Sequence, residues 1–458
     1  MIENDAFKLL LINLFHLNPD DIANILCTTF NKMMVLVVTL TDKHQACPYC
    51  GFTAPKIKEY VTKEITHSAL TTQKCIIKYR ARRYKCPCCG KTYYEFNPFV
   101  FKSQKISILT VHNILKDLKD FNETFTSVAR RYHVSPTSVS TIFDNHVDIG
   151  RNPLPEIINF DEVYAFKSEK SKYVCVLLDF KKQIPVDVLP NRKKEYLLNY
   201  FQKIPLEERK KVKYACSDMY EVYRDVVHKV FPSCCMLLDY FHLSQDFHRK
   251  MNEVRIKVMK GYKDNKASDE YYLLKKFNWL LFKNPEDEDK HGRLFDVERE
   301  RKYNSHFKSY MNYYDLRKKL LDINNDLTIC YSLKLELVDF YSKSTIDNAK
   351  VNLENLIRSC IDTNIEEMIK FSNNLINWKQ EIINSFTIVD TEYKVEADKG
   401  QVVVCNKKVN NAIIENRNKI IKCIKNNANG YTNWSRFRNR VMYVLDPNTT
   451  FSLEPREK

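Results

Sequence analysis

From residue 156 onward the periodicity of the chain switches several times within one stretch. EIINFDEVYAF, KYVCVLLDF and IPVDVLP are apolar, β-branched runs separated by gaps of turn length, as successive buried strands require. KKEYLLNYFQKI then spaces its apolar residues as a helix, and VKYACSDM returns to a strand. MYEVYRDVVHKVF is helical, CCMLLDYF is a fifth strand, and HLSQDFHRKMNEVRIKVM is helical again. An order βββαβαβα has few solutions. Strands joined through helices run parallel, and the helices must cover the faces of a mixed sheet.

That order is the one of the ribonuclease-H-like fold. It puts Asp161 on the first strand and Asp218 at the end of the fourth, and those two strands are neighbours in such a sheet. Two carboxylates far apart in sequence are therefore expected to converge. They repel, and burying them is costly unless a cation neutralises them. Hard divalent ions such as Mg²⁺ take oxygen ligands, and two of them about 4 Å apart can activate a hydroxyl and stabilise the leaving oxygen of a phosphodiester. Glu162, one residue beyond Asp161, should point to the other face of the strand.

A third acid is expected from a helix, and residues 409–426, VNNAIIENRNKIIKCIKN, supply it. At helical spacing Ile413, Ile420, Ile421 and Ile424 share one face, while Asn411, Glu415, Asn418, Lys419 and Lys422 share the opposite one. Glu415 is the only acid of this helix. The amides and cations around it suit a phosphate backbone.

The net charge of +16 is spread along the chain, a distribution suited to extended contact with a polyanion. The N-terminus lacks a basic secretory leader, and no apolar run approaches the roughly 20 residues that span a membrane. Fifteen scattered cysteines without such a leader point to reduced thiols in a cytosolic protein, some of them metal-bound. The bound set is legible. CPYCG and CPCCG give Cys47, Cys50, Cys86 and Cys89 in two C-x-x-C turns, each followed by glycine, the arrangement of a zinc ribbon with one structural Zn²⁺. Cys88 lies inside the second turn, but the spacing favours Cys89.

Residues 124–146, TFTSVARRYHVSPTSVSTIFDNH, read as a helix-turn-helix. Ser135 is placed to cap the second helix, and Pro136 takes its first position. Val128, Ala129, Val134, Val139 and Ile142 make the small core. Thr137, Ser138 and Thr141 face outward toward base edges or phosphates, with Arg130 and Arg131 beside the DNA backbone. The expected organisation is multidomain α/β. It comprises a zinc-ribbon DNA-binding domain at 1–100, a helix-turn-helix at 101–150, the first part of the catalytic core at 151–244, a large all-α insertion at 245–400, and a C-terminal core helix with the third acid at 401–458.

Taken together, the ribbon CPYCG…RRYKCPCCGKTYYEF, the helix-turn-helix, NFDEVYAF, CSDMYEVYRDVV, LLDYFHL and AIIENRNKIIKCIKNNANGYTNWSRFRNR closely resemble the ISL-three family of bacterial DDE transposases. The chain departs from the family's usual basic residue at Asn426. The resemblance implies a metal-binding triad of Asp161, Asp218 and Glu415 holding two Mg²⁺ (or Mn²⁺) ions. LLDYFH matches the D-x-x-H signature of related transposases, which gives Asp239 and His242 a supporting role; Asp239 also competes with Asp218 as the second ligand, and the place of Asp218 at the end of the fourth strand, beside the first, favours Asp218. The implied partners are double-stranded DNA, both terminal inverted repeats and target, and a second copy of the chain in a homodimer or larger assembly on DNA, with no membrane. Lys419 and Lys422 would then touch DNA beside Glu415. A nucleoid-associated bacterial protein is the implied setting. Two rival readings are a zinc-containing DNA-binding regulator whose acids are structural, and a nuclease of the same fold that cuts without joining.

Overall fold

The computed structural model describes residues 2–43, 46–68, 72–101, 104–166, 171–394 and 402–456. The N-terminal part begins with α1 (Ile2–Leu14), β1 (Ile22–Phe30) and β2 (Met33–Leu40), continues with β3 (Lys56–Thr66) and β4 (Cys75–Lys85), and ends on β5 (Thr92–Tyr94). These strands form one sheet in the order β1-β2-β4-β3, with β5 added to β4. Leu11, Ile12 and Phe15 at the end of α1 bury against Ile25, Leu36, Val38 and Ile77 of the sheet. Each C-x-x-C turn closes through its glycine. The Gly51 amide donates to the Cys47 carbonyl at 2.8 Å and the Gly90 amide to the Cys86 carbonyl at 2.9 Å. Both glycines have positive φ, 72° and 70°, which a side chain would oppose.

Three helices follow, α2 (Ile108–Asp117), α3 (Phe125–Arg131) and α4 (Pro136–His146). Ser135 caps α4 by accepting from the Ser138 amide at 3.0 Å, and Pro136 occupies its first position. Thr124 and Ser127 cap α3 reciprocally.

The central sheet is built from β6 (Ile157–Val163), β7 (Val174–Asp179), β8 (Pro185–Leu189), β9 (Tyr214–Ser217) and β10 (Cys235–Leu238). Helices α5 (Lys194–Gln202), α6 (Leu206–Arg209), α7 (Glu221–Val230) and α8 (Tyr240–Gly261) connect or follow them. Strand order is β10-β9-β6-β7-β8. β6 runs parallel to β9 and β9 parallel to β10, while β7 is antiparallel to both β6 and β8. Ile158, Phe160, Leu177 and Ala215 face α5 and α7, packing on Leu197, Phe201, Tyr223 and Val227.

α8 leaves the sheet and enters a second core. Its Leu243, Phe247, Met251 and Val254 pack among the residues of the region from 262 to 386. That region contains α9 (Asp269–Lys276), β11 (Glu288–Asp289), β12 (Gly292–Arg293), β13 (Lys302–Asn304) and β14 (Ser309–Met311). It continues through α10 (Tyr313–Leu321), α11 (Asn325–Lys343), α12 (Ala349–Asp362), α13 (Glu366–Asn377) and α14 (Lys379–Asn384). The expected all-α insertion is thus corrected: its helical periodicity holds, but β11–β12 and β13–β14 are two small antiparallel hairpins. They lie in a charged, aromatic stretch with no sustained apolar period, which the helical pattern could not reach. Trp279 packs beside this core, its ring 5.1 Å from that of Tyr313.

The chain returns through a hairpin of β15 (Ile388–Lys394) and β16 (Val402–Lys408); the expected boundary at residue 400 lies outside the described residues. α15 (Ala412–Asn427) and α16 (Trp434–Leu445) complete the fold on the other face of the central sheet. One continuous apolar cluster joins Val176 and Val188 of the sheet, Ile414 and Ile421 of α15, Phe437 and Val441 of α16, and Val111, Val128, Val139 and Phe143 of α2–α4. Arg436 strengthens the same junction by pairing with Asp144 at 2.6 Å. No helix among the described residues is long and apolar enough to cross a membrane.

Candidate active site

Three aspartates meet at one edge of the central sheet because of its register. Ile157 lies opposite Tyr214 and Asn159 opposite Cys216. Continuing that ladder sets Asp161 level with Asp218, just past the end of β9. Leu238 lies opposite Ser217, so Asp239 comes level with Asp218 in turn. Parallel strands that end together deliver these carboxylates side by side. α8 begins at Asp239 and carries His242 in its first turn. α15 brings Glu415, also in its first turn, to the same place.

His242 Nε2 is 3.8 Å from Asp239 Oδ2 and 3.9 Å from Glu415 Oε1. Asp161 and Asp239 are buried, while Asp218, His242 and Glu415 are half-buried. Burial pushes the Asp161 carboxyl up to about 7, with further repulsion from Asp218. Burial also pushes Asp218 up to about 6, with Glu162 adding repulsion and His242 and Arg192 opposing it. Asp239 is raised as well, again by burial first. Acids raised together in one cleft are the condition that a bound cation relieves.

Among the described residues, the same place holds most of the buried side-chain polar atoms without a partner. Asp218 Oδ1, Asp239 Oδ2, His242 Nε2, Glu162 Oε2, Asn159 Oδ1 and Asn418 Oδ1 are buried with no hydrogen-bond partner. Leaving such groups unpaired costs about 1–3 kcal/mol each, so their concentration here is what a divalent-ion site predicts. The oxygen-rich donor set fits Mg²⁺ or Mn²⁺.

A profile of the DDE, ISL3-type family, described as "Transposase", matches residues 158–397, just over half of the chain. The chain belongs to the ISL3 family of DDE transposases. It is also similar to the transposase for insertion sequence element IS1001 of Bordetella parapertussis. The two are 19% identical over 410 residues, covering 89% of this chain and 90% of that protein. The family match stops before α15, so Glu415 joins the other acids through the fold.

Around the acids of this transposase runs a set of amides on which the sequence reading misled. Asn411 and Asn418, expected on the open face of α15 with Glu415, are buried against β6. The Asn159 amide donates to Asn411 Oδ1 and to the Asn410 carbonyl, both at 2.7 Å. Asn411 donates to the Phe160 carbonyl at 3.3 Å, and Asn418 to Asp161 Oδ2 at 2.7 Å. Their i, i+7 spacing with Glu415 between them is the signal that one face was shared; that this face turns inward follows only from the sheet. Lys419 and Lys422 are exposed, as expected.

Glu162 points to the opposite face from Asp161, where it pairs with Arg192. The Arg192 guanidinium lies 4.6 Å from the Tyr173 ring and 4.8 Å from the Tyr220 ring. Sequence reading gave no sign of Arg192, which follows a loop with no local pattern.

The four N-terminal cysteines come together as well. Cys47 and Cys89 sulfurs are 3.7 Å apart and Cys50 and Cys86 sulfurs 3.5 Å, and all four lie within 4.8 Å of one another. Four thiolates at about 2.3 Å from one ion form a tetrahedron with edges of about 3.8 Å. The Cys89 backbone amide draws the Cys86 thiol down, while the Cys50 thiol in the same cluster is pushed up. Cys88 is exposed outside this cluster.

On the paired helices, Arg130, Thr137 and Thr141 are exposed. Ser138 is tied into the cap, its hydroxyl 2.8 Å from that of Ser135. Arg131 is held by Asp117 and Glu123, which fastens α3 to α2 while leaving its side chain partly exposed.

Proposed function

We propose that this transposase binds the terminal inverted repeats of its element, hydrolyses a phosphodiester at each end, and joins the freed 3′-hydroxyls to target DNA. The observation that carries this reading is the arrival of Asp161, Asp218 and Asp239 at adjoining positions on neighbouring strands, with His242 between Asp239 and Glu415 of a distant helix, among buried oxygens without partners. The sheet with its αβ connections is the ribonuclease-H-like core, interrupted between α8 and α15.

In this reading Asp161, Asp218 and Glu415 hold the divalent ions. Those ions, when bound, supply activation of an attacking hydroxyl and neutralise charge at the leaving oxygen. Asn418 and the Glu162 amide fix the orientation of Asp161, each bonding one of its oxygens. Asp239 and His242 lie within reach of Glu415 and support it. Lys419 and Lys422, exposed on the same helix, neutralise the DNA backbone beside the cut. The cysteine cluster holds one structural Zn²⁺. α3 and α4 act as a helix-turn-helix, with Arg130, Thr137 and Thr141 toward the duplex, and the two ends are brought together by two copies of the chain.

The test is to incubate purified full-length protein with DNA from the flanks of its coding region, a target plasmid and Mg²⁺. Cleaved ends and joined products are expected. Binding without cutting would favour a regulator, and cutting without joining a nuclease.

A further inference from the structure

We infer that the open edge of the N-terminal sheet is a homodimer interface. β1 of one copy pairs antiparallel with β1 of a second across a two-fold axis near Leu26, joining two five-stranded sheets into one. Nothing in this pairing depends on the chemistry at the acidic cleft, and it forms without DNA.

The two edges of that sheet are built differently. β3, at one edge, carries Lys56, Lys58, Glu59, Lys63 and Glu64 among its eleven residues. Charges of this kind keep an edge from pairing with another chain. β1, at the other edge, pairs with β2 alone among the described residues. Its nine residues, IANILCTTF, hold no charge and no proline. From residue 22 to the end of β2 at residue 40 there is one charge, Lys32 at the turn, in a chain of which 28% is charged. The unguarded edge is thus the neutral one.

The side chains that flank it are apolar and exposed. α1 packs on Ile25, Leu36 and Val38, so Leu26, alternating with them, lies on the opposite face of the sheet with Phe30. Leu26 and Phe30 are 55% and 64% exposed, and Val37, in register with Leu26, is 43% exposed. On the other face α1 lies over β1, and its Phe7, Leu10 and Leu14 form an exposed stripe beside the edge. Pairing about the two-fold sets Leu26 against its counterpart and brings the two α1 helices together. At roughly 150–200 Å² for a large apolar side chain, the exposed parts of these six come to roughly 500–650 Å² per copy. The backbone edge, with Thr28 and Thr29, carries the patch toward the ~800 Å² per partner of a standard interface.

A second copy is the occupant that fits. An open backbone edge is completed by another extended strand. Copies of a chain with net charge +16 repel each other, and a neutral strand is where that repulsion is least. β1 is also its own complement, since antiparallel self-pairing sets no like charges opposite one another. A two-fold contact of this kind closes on itself and does not grow into a filament.

The experiment is sedimentation equilibrium of the full-length, zinc-loaded protein without DNA. Wild type should be a dimer at micromolar concentration. Leu26→Lys and Leu26→Glu, at a position already exposed, should each raise the dissociation constant by about tenfold or more, with melting temperature and zinc content unchanged. An equimolar mixture of the two should recover dimers, because the two-fold sets Lys against Glu. A monomeric wild type, whose edge would then belong to a different protein, overturns the proposal. So do open-ended wild-type aggregates, variants that dimerise as wild type does, or a mixture that stays monomeric. Should the variants misfold, hydrogen–deuterium exchange of the wild type decides: amides of residues 22–30 must slow as protein concentration rises, and exchange independent of concentration sinks the idea. Asp161→Ala should remain dimeric, so loss of the transposase reading and loss of the interface are read separately.

Discussion

The side-chain amide of Asn418 donates to Asp161 Oδ2 across 2.7 Å in the buried seam between α15 and β6. The Glu162 backbone amide holds the other oxygen, Oδ1, at 2.7 Å. Both oxygens of Asp161 are thus fixed while each keeps a lone pair for a ligand, and the helix that carries Glu415 also sets the angle of Asp161.

Asn418→Ala should therefore lower metal-dependent cleavage at least tenfold and leave terminal-DNA binding within about twofold. A hydrogen bond to a charged group contributes about 1.5–3 kcal/mol, enough for that loss if Asp161 swings free. Cleavage rate against Mn²⁺ concentration is the measurement. An unchanged half-saturating concentration would show that Asn418 only fills space.

Asp161→Asn should abolish cleavage yet raise the melting temperature of the metal-free protein by a few degrees. It removes a buried charge beside Asp218 while keeping the shape of the side chain. Scanning fluorimetry without and with Mg²⁺ tests this. The wild type should gain from Mg²⁺ and the variant should not.

Metal analysis should find one zinc per chain. Cys86→Ser should lose it and with it terminal-DNA affinity, because it takes one thiolate from the set that fastens the two turns together. Chelation of the wild type should release four additional thiols to a thiol reagent. Well under one zinc per chain would exclude the closed four-thiolate site.

The contribution of His67 to stability should fall as the pH drops below about 6.5, against the opposite contribution of the raised Asp161 and Asp218 carboxyls, so it is read as the difference between wild type and a His67 variant. This ring is 2% exposed, with Nε2 2.8 Å from the Phe15 carbonyl and Nδ1 2.9 Å from the Ser107 hydroxyl. A carbonyl only accepts, so Nε2 carries the proton and Nδ1 accepts from Ser107. Burial holds the folded-state pKa below the ordinary value of 6.5. The contribution is complete above 6.5 and is lost as the pH falls toward the folded value. His67→Gln should flatten that part of the melting-temperature profile.

Arg130→Ala should weaken terminal-DNA binding and reduce its salt slope by about one. Arg131→Ala should instead lower stability, because its partners Asp117 and Glu123 lie on and beside α2. Salt titrations and thermal melts on the two variants separate these outcomes.

What could be read in advance was whatever a local period encodes. The strands of the central sheet, the cap at Ser135 and the cysteine turns each follow from neighbours in sequence, and they stand where the pattern puts them. Asn411 and Asn418 did not follow, because a helical wheel sorts residues into faces without saying what each face meets. A polar face packed on β6 looks the same as one in water. Arg131 illustrates a similar limit: whether a guanidinium is free depends on acids at 117 and 123 that only folding brings near. The hairpins β11–β12 and β13–β14 are too short to carry a period at all.

The apolar cluster that runs unbroken from α2–α4 through the sheet to α15 and α16 has one more consequence. On the proposed reading, the surface that grips a repeat and the helix that carries Glu415 belong to a single solid piece. The protein then works as a ruler. The count of base pairs between the recognised sequence and the severed bond is written into its packing, and spacer DNA lengthened between them would move the cut relative to the element's end.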